Sequence, residues 1–191
     1  MSLCVSASMN KNVRAVAVPA LAAFVTLSSH FATAQPHYLP ASGENQRASV
    51  TQQVGPVTVT ISYSSPRVVL RGNDRRGKIW GALVPYGLTE LDFNECKSCP
   101  WRAGANEGTV FTVSDEVKIQ GKVLPAGAYG LFAITGADEW TFVFSKNATS
   151  WGAYWYDPKE DVLRVTAKPT KSEYHEWLTY DFVEREPAKA T

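Results

Sequence analysis

Two cysteines with the spacing C-x-x-C are the sharpest chemical feature of this 191-residue chain. Cys96 and Cys99 could close a small disulfide, supply half of a tetrahedral zinc site, or act as a redox pair. A zinc site would need two more ligands, and the sequence holds no second C-x-x-C. A redox pair usually lies at a helix N-terminus, which lowers the pKa of its reactive thiol. Here Pro100 and Trp101 follow the cysteines with no helical pattern. We predict a disulfide that staples a loop and no bound metal or cofactor; metal binding and redox chemistry are the alternatives that the spacing leaves open.

A polar run around a glycine follows the cysteines. Trp101, Arg102, Asn106 and Glu107 supply an aromatic ring, a guanidinium, a carboxamide and a carboxylate within seven residues. Such groups can bind a polar ligand, because Arg offers a planar fork of donors and Asn both donates and accepts. The alternative is structural: Arg102 and Glu107 pair with each other, or with turn backbone, and only hold a loop.

A second aromatic cluster lies farther along the chain, at Trp151, Tyr154, Trp155 and Tyr156. Exposed Trp and Tyr rings can stack on the apolar faces of sugars or peptides. Because neighbouring residues of an extended chain alternate faces, we expect at least half of these rings to pack into a core.

Familiar catalytic motifs are missing from the sequence. It contains no G-x-S-x-G, no G-x-x-x-x-G-K-[ST] and no dinucleotide fingerprint. His175 and Glu176 begin like H-E-x-x-H, but Thr179 stands where the second metal ligand would be. The formal charge of +1 offers no excess of cations for binding nucleic acid.

The elements that must position these residues are short strands. Val57, Val59 and Ile61 alternate with Thr58 and Thr60, as in a strand with one buried face. Gly-, Pro- and Asn-containing turns separate segments of this kind. We predict strands at 57–63, 67–70, 78–84, 109–113, 117–119, 129–135, 140–145, 163–167 and 178–182.

Short strands at this spacing predict an all-β, single-domain antiparallel β-sandwich, jelly-roll-like, with about eight or nine strands over residues 54–186. The polar residues 35–53, which include Pro36, Pro40 and Gly43, are predicted to form a flexible lead-in.

The N-terminal 34 residues have the pattern of a signal peptide. Lys11 and Arg14 precede an apolar run at 15–27, which is too short to span a bilayer, and Ala32-x-Ala34 fits a cleavage site. Cleavage near Ala34 would leave 157 residues without Cys4 and without a membrane span. We therefore expect an exported protein, periplasmic or secreted, in an oxidising compartment.

The chain resembles a bacterial family of exported proteins, domain-of-unknown-function family 2911. The matching stretches are 61–66, 78–87, the W-R-x-G-A-N-E run at 101–107, 121–129, Trp151-Gly152 with Tyr154, and 161–165. The resemblance implies an exported all-β domain and carries no activity with it. The family usually passes from Pro-Tyr-Gly almost directly into Trp-Arg, whereas residues 88–100 intervene here. The resemblance thus implies that the two cysteines brace this longer loop.

If the fold forms a pocket, we expect Tyr86, Arg102, Asn106 and Glu107 as its polar members and Trp101 as an aromatic wall. The favoured prediction is a non-catalytic module that binds a small polar ligand, a glycan or an envelope partner. One alternative is a hydrolase or isomerase-type enzyme that uses Glu107 with Arg102. Another is a purely structural envelope protein.

Overall fold

The computed structural model describes residues 3–7, 44–92 and 96–191, and its regular structure is almost entirely β. A three-residue 3-10 turn at Pro158–Glu160 is the one helical segment described. No helix in these ranges is long and apolar enough to cross a membrane. The strands in chain order are β1 Val5–Ala7, β2 Gln46–Val54, β3 Val57–Ser65, β4 Val69–Leu70, β5 Asn73–Asp74, β6 Thr109–Val113, β7 Val117–Ile119, β8 Lys122–Leu124, β9 Gly127–Ile134, β10 Trp140–Ser145, β11 Asp161–Ala167, β12 Arg185–Glu186 and β13 Lys189–Ala190.

Six strands form the larger sheet, in the order β11-β10-β9-β6-β3-β2, and every neighbouring pair is antiparallel. Its strands follow one another in chain order, so this sheet is a meander rather than a Greek key. The all-β antiparallel class predicted from the alternation is confirmed. Strand β3 illustrates its basis: Val57 and Val59 are buried, and Thr60 on the other face meets Thr51 of β2, with 2.9 Å between their hydroxyl oxygens.

The smaller of the two main sheets has the order β12-β13-β1-β7-β8 and packs against the larger one, while β4 and β5 pair only with each other. Val117, Ile119 and Leu124 of this sheet share one hydrophobic core with Phe111 and Phe144 of the larger sheet. All five side chains are nearly inaccessible to solvent. Two antiparallel sheets around one core give a sandwich-like arrangement.

The larger sheet is also covered on its opposite face, over strands β9 and β10. Phe132 and Val143 are fully buried there against Cys96, Cys99 and Ala153. This second cluster explains why burial in β9 and β10 is almost continuous instead of alternating.

Two predicted strands are wrong in detail. Residues 78–84 form a compact turn, in which the Val84 amide donates to Ile79 O at 2.7 Å and the Gly81 amide to Val84 O at 2.9 Å. Residues 178–182 do alternate between inward and outward side chains, but they lie in no sheet. The Leu178 amide instead donates to Pro66 O at 3.0 Å. Alternating burial therefore does not require a strand ladder.

The predicted lead-in at 35–53 also needs correction. Residues 46–53 belong to β2, an edge strand that pairs with β3 along its whole length. Its polar composition reflects one solvated face and one solvated edge, not a lack of structure. Residues 35–43 lie outside the described residues.

The predicted signal peptide overlaps the described residues only at 3–7. Strand β1 lies between β7 and β13, where Val5 pairs with Ile119 on one side and Ala190 on the other. Residues 8–34 lie outside the described part of the chain, so cleavage after Ala34 remains a prediction.

Candidate functional site

A cleft of about 880 Å³ lies at the surface of the described part of the chain. Three segments and Asn45 border it; the segments are residues 66–84, the run at 101–106, and residues 172–179. The side chains that line it include three tryptophans, Trp80, Trp101 and Trp177, and four arginines, Arg67, Arg75, Arg76 and Arg102. We refer to this cavity as the arginine–tryptophan cleft.

The run at 101–107 is anchored at Trp101 and at Ala103. Trp101 exchanges two backbone hydrogen bonds of 2.8 Å with Ala133 of β9, so the run begins on the larger sheet. The carbonyl of Ala103 accepts hydrogen bonds from the hydroxyls of Thr109, at 3.0 Å, and Tyr180, at 2.7 Å. These contacts fix the backbone of residues 101–103, which we call the floor of the cleft.

Trp101 is one of three indole rings that pack edge to face against one another. The Trp80 ring centroid lies 5.5 Å from that of Trp101 and 4.7 Å from that of Trp140. Trp140 is buried, whereas Trp80 is 45% exposed and lines the cleft. Aromatic pairs of this geometry stabilise each other, so Trp80 presents a supported apolar surface.

Arg102 lies half-buried against two neighbours. Its Nη1 donates to the carbonyl of Asn106 at 2.7 Å, and its guanidinium carbon lies 5.5 Å from the Tyr154 ring centroid. A Cβ atom at residue 152 would come within 2.7 Å of that carbon, so Gly152 leaves the space that the guanidinium fills. Asn106 is held from the other side, because Asn45 Nδ2 donates to its Oδ1 at 3.0 Å.

Glu107 does not line the cleft. Its carboxylate accepts from Arg47 Nη2 at 2.5 Å and from the Ser64 hydroxyl at 3.0 Å, beside a separate cavity of about 400 Å³. Burial raises the pKa of Glu107, but hydrogen bonds from its own backbone amide, Ser64 and Arg47 outweigh that effect and lower the pKa overall. The ionised form is therefore favoured. Arg102 and Glu107, the pair that the enzyme alternative requires, line different cavities.

Tyr86, the fifth residue predicted for the site, also lies outside the cleft lining. Its ring rests against Gly81 and is 48% exposed. The structure thus brings Trp101, Arg102 and Asn106 together in one cleft and leaves Glu107 and Tyr86 out.

Residues far apart in sequence complete the cleft, and no sequence motif predicted that they belong to it. Arg67 lies 5.3 Å above the Trp177 ring centroid and forms an ion pair of 3.3 Å with Glu176. Arg76 forms an ion pair with Asp74 at 2.5 Å. The dense charges at 71–76 in the sequence were the available signal, but nothing local connects them to Trp177.

Cys96 and Cys99 form a disulfide with 5.8 Å between their Cα atoms. Thr89 and Cys99 exchange backbone hydrogen bonds of 2.8 and 3.0 Å, which tie the bridged turn to the preceding segment. Both cysteines face Phe132 and Val143, not the cleft. Within the described residues, no three His, Cys, Asp or Glu side chains are grouped as metal ligands would be.

The second aromatic cluster divides between surface and interior. Trp151 and Trp155 are about half exposed. Tyr156 instead packs edge to face on Phe132, and its hydroxyl donates to Asp161 at 2.9 Å. Burial, with that hydrogen bond, raises the pKa of Tyr156 to about 12.

These features define a class: an antiparallel, sandwich-like all-β domain whose loops form a cleft lined by arginine and tryptophan at one side. The family follows from comparison with known proteins. A family model described as "Protein of unknown function (DUF2911)" matches residues 45–191, and the chain belongs to this family. Comparison with curated proteins and with solved structures gives no match.

Proposed function

We propose that this protein is a non-catalytic binding module whose arginine–tryptophan cleft takes a small polar ligand, with a glycan as the leading class. The observation that carries the proposal is the cleft itself. It combines an exposed, supported indole at Trp80 with guanidinium donors from two different segments, 66–84 and 101–106.

Sugars match this combination of groups. Their rings have apolar C–H faces that pack on Trp, while their hydroxyls accept hydrogen bonds from Arg. The volume of about 880 Å³ falls within the range usual for small-molecule sites. Because Trp101 and Ala103 are fixed by backbone and hydroxyl hydrogen bonds, little ordering of the floor would accompany binding.

The enzymatic alternative has less support. It needs Glu107 to act on a substrate beside Arg102, but Glu107 is engaged by Arg47 and Ser64 at the other cavity. A general acid with a raised pKa would suit catalysis near neutral pH, whereas the pKa of Glu107 is lowered.

Export to the periplasm or beyond belongs to the same proposal. The N-terminal pattern ending at Ala34 and the Cys96–Cys99 disulfide both support it, because disulfides persist mainly in oxidising compartments. A glycan or another envelope component would then be available as a ligand.

The experiment is a titration of the protein with a panel of oligosaccharides, followed by tryptophan fluorescence and by thermal shift. Trp80→Ala should weaken binding of the responding sugar about tenfold, which corresponds to ~1.4 kcal/mol. Trp151→Ala is the matched control, because Trp151 has similar exposure (50%) but lies outside the cleft lining. If no sugar responds, or if both variants lose affinity equally, the proposal is wrong.

A further inference from the structure

Building on the proposed function, we infer that the sugar taken by the cleft is acidic, and that Arg75 and Arg102 recognise its anionic group. The inference concerns the charge of the ligand, which the glycan proposal alone leaves open. It rests on how the four cleft arginines are paired.

Two of the four arginines are neutralised by carboxylates. Arg67 pairs with Glu176 at 3.3 Å, and Arg76 pairs with Asp74 at 2.5 Å. Their charges are therefore largely compensated before any ligand arrives.

Arg75 and Arg102 differ from these two, because within the described residues they donate only to backbone carbonyls. Arg75 Nε donates to Val68 O at 3.1 Å, and its Nη2 donates to Arg67 O. Arg102 Nη1 donates to Asn106 O at 2.7 Å. A carbonyl fixes the direction of a guanidinium without cancelling its charge, and each guanidinium has five N–H donors, so donors remain for a ligand.

Both side chains are also half-buried, so water compensates their charges less well than at an open surface. Glu173 is the one carboxylate residue in the cleft lining, and it is exposed. The lining therefore carries excess positive charge, although the whole chain has a formal charge of only +1. Clefts concentrate such a field and attract anions.

The anion expected is a carboxylate or phosphate borne on a sugar ring. Guanidinium groups bind both kinds of oxyanion, often through two parallel hydrogen bonds. Trp80 supplies the surface for the ring, which a free inorganic anion would not use. We therefore favour an acidic sugar over a bare anion.

The test compares four probes on the full-length protein by calorimetry: trimers of uronic acids, the same trimers with methyl-esterified carboxylates, glucose 6-phosphate, and inorganic phosphate. Esterification removes the charge and keeps the shape of the ring. A uronate or the phosphate should bind about tenfold or more tightly than the ester, and the advantage should shrink as salt rises from about 50 to 500 mM.

Charge-removing variants identify the residues responsible. Arg75→Gln and Arg102→Gln should each weaken binding of the acidic probe about tenfold and change binding of the ester less than about twofold. Arg71→Gln is the control, since Arg71 is 81% exposed on its side chain, pairs with Glu44 and lies outside the lining. Arg102→Lys, which keeps the charge, should restore part of the affinity if the loss reflects charge rather than packing.

The outcomes separate the two proposals. Equal affinity for acid and ester, independent of salt, overturns this inference and leaves the glycan proposal standing. Binding of inorganic phosphate as tight as that of glucose 6-phosphate also overturns it, because the ring would then contribute nothing. If neither acidic nor neutral sugars bind, the proposed function itself fails.

Discussion

Gly152 lies directly against the guanidinium of Arg102. A Cβ at this position would stand 2.7 Å from Arg102 Cζ and 2.8 Å from its Nη1. The backbone at Gly152 also has a φ of +65°, in the left-handed region that side chains disfavour. One residue without a side chain thus sets both a turn of the chain and the position of a cleft arginine.

Gly152→Ala should therefore have two effects. Left-handed backbone strain should lower the free energy of unfolding by about 1–2 kcal/mol, and the displaced Arg102 should weaken binding of the ligand. Gly121→Ala separates these effects, because Gly121 has a φ of +80° but no atom within 4 Å of its added Cβ. Chemical denaturation and ligand titration of both variants provide the measurement. Equal ligand affinity in the two variants would show that Gly152 does not position Arg102.

Local sequence predicted the part of the cleft whose residues are close together in the chain. It missed the part that only the packing of distant segments brings together. Trp101, Arg102 and Asn106 are neighbours in the chain, so a single turn brings them into one cleft. Arg75 and Trp177 are about a hundred residues apart, and only the packing of the 66–84 and 172–179 segments joins them. Glu107 follows Asn106 directly but points to the other cavity, where Arg47 of β2 meets it.

At the scale of elements, strands were predicted correctly where apolar and polar residues alternate and a neighbouring strand is available for pairing. The bounds of β6 and β7 are those predicted from the sequence. Residues 178–182 have the alternation without a partner, because their amides bond to Pro66 O and to the Tyr63 hydroxyl rather than to a strand. Strand β2 has a partner but a weak apolar pattern, because only Val50 and Val54 of its inner face reach the hydrophobic core, while one face and one edge are solvated. Strand pairing depends on tertiary contacts, so the local sequence of neither residues 178–182 nor β2 predicts it.

The disulfide-bridged turn is an element whose contribution can be isolated. Replacing both cysteines, Cys96→Ala with Cys99→Ala, removes a bridge that closes a four-residue loop. The chain-entropy model assigns roughly 2 kcal/mol to a loop of this size, which is a fall in melting temperature of about 4–8 °C. Thermal denaturation under oxidising conditions measures it.

Reducing agent provides the control for this variant. It should lower the melting temperature of the unmodified protein and leave the double variant unchanged. The effect should also be local: the Thr89 and Leu91 amides, which donate to Cys99 O and Cys96 O, should exchange hydrogen faster. Faster exchange spread equally over β6 would contradict a bracing role for the disulfide.

At the scale of the whole molecule, charge is distributed unevenly. The chain has 19 Lys and Arg against 18 Asp and Glu, yet four arginines converge on one cleft with a single carboxylate residue in its lining. A near-zero net charge therefore says little about the ligand. A near-zero net charge predicts no extended basic surface for nucleic acid, whereas the concentration of cations at one site depends on how the loops pack.

Strand β1 poses a question about the whole chain, because it belongs to the segment predicted to be cleaved. Val5 is buried in the core, and the Gln120 amide donates to Cys4 O at 3.0 Å. The backbone pairing of β1 is with β7 and β13 of the smaller sheet. The six strands of the larger sheet pair with one another, and none of them pairs with β1.

We therefore predict that the exported protein starts at Gln35, lacks β1 and keeps its larger sheet. Intact mass should correspond to 157 residues, and thiol titration of the unfolded, unreduced protein should give no free thiol, since Cys4 is the one cysteine outside the disulfide.

The precursor provides the control, and an Arg14→Glu substitution in its basic region should retain it in the cytoplasm. This precursor should give one free thiol after mild oxidation closes the Cys96–Cys99 bridge. Hydrogen exchange should be faster at Gln120 in the processed protein than in the precursor, and similar at Val143 of the larger sheet. An exported product that still carries Cys4 would show that β1 is a permanent strand and that Ala34 is not the cleavage site.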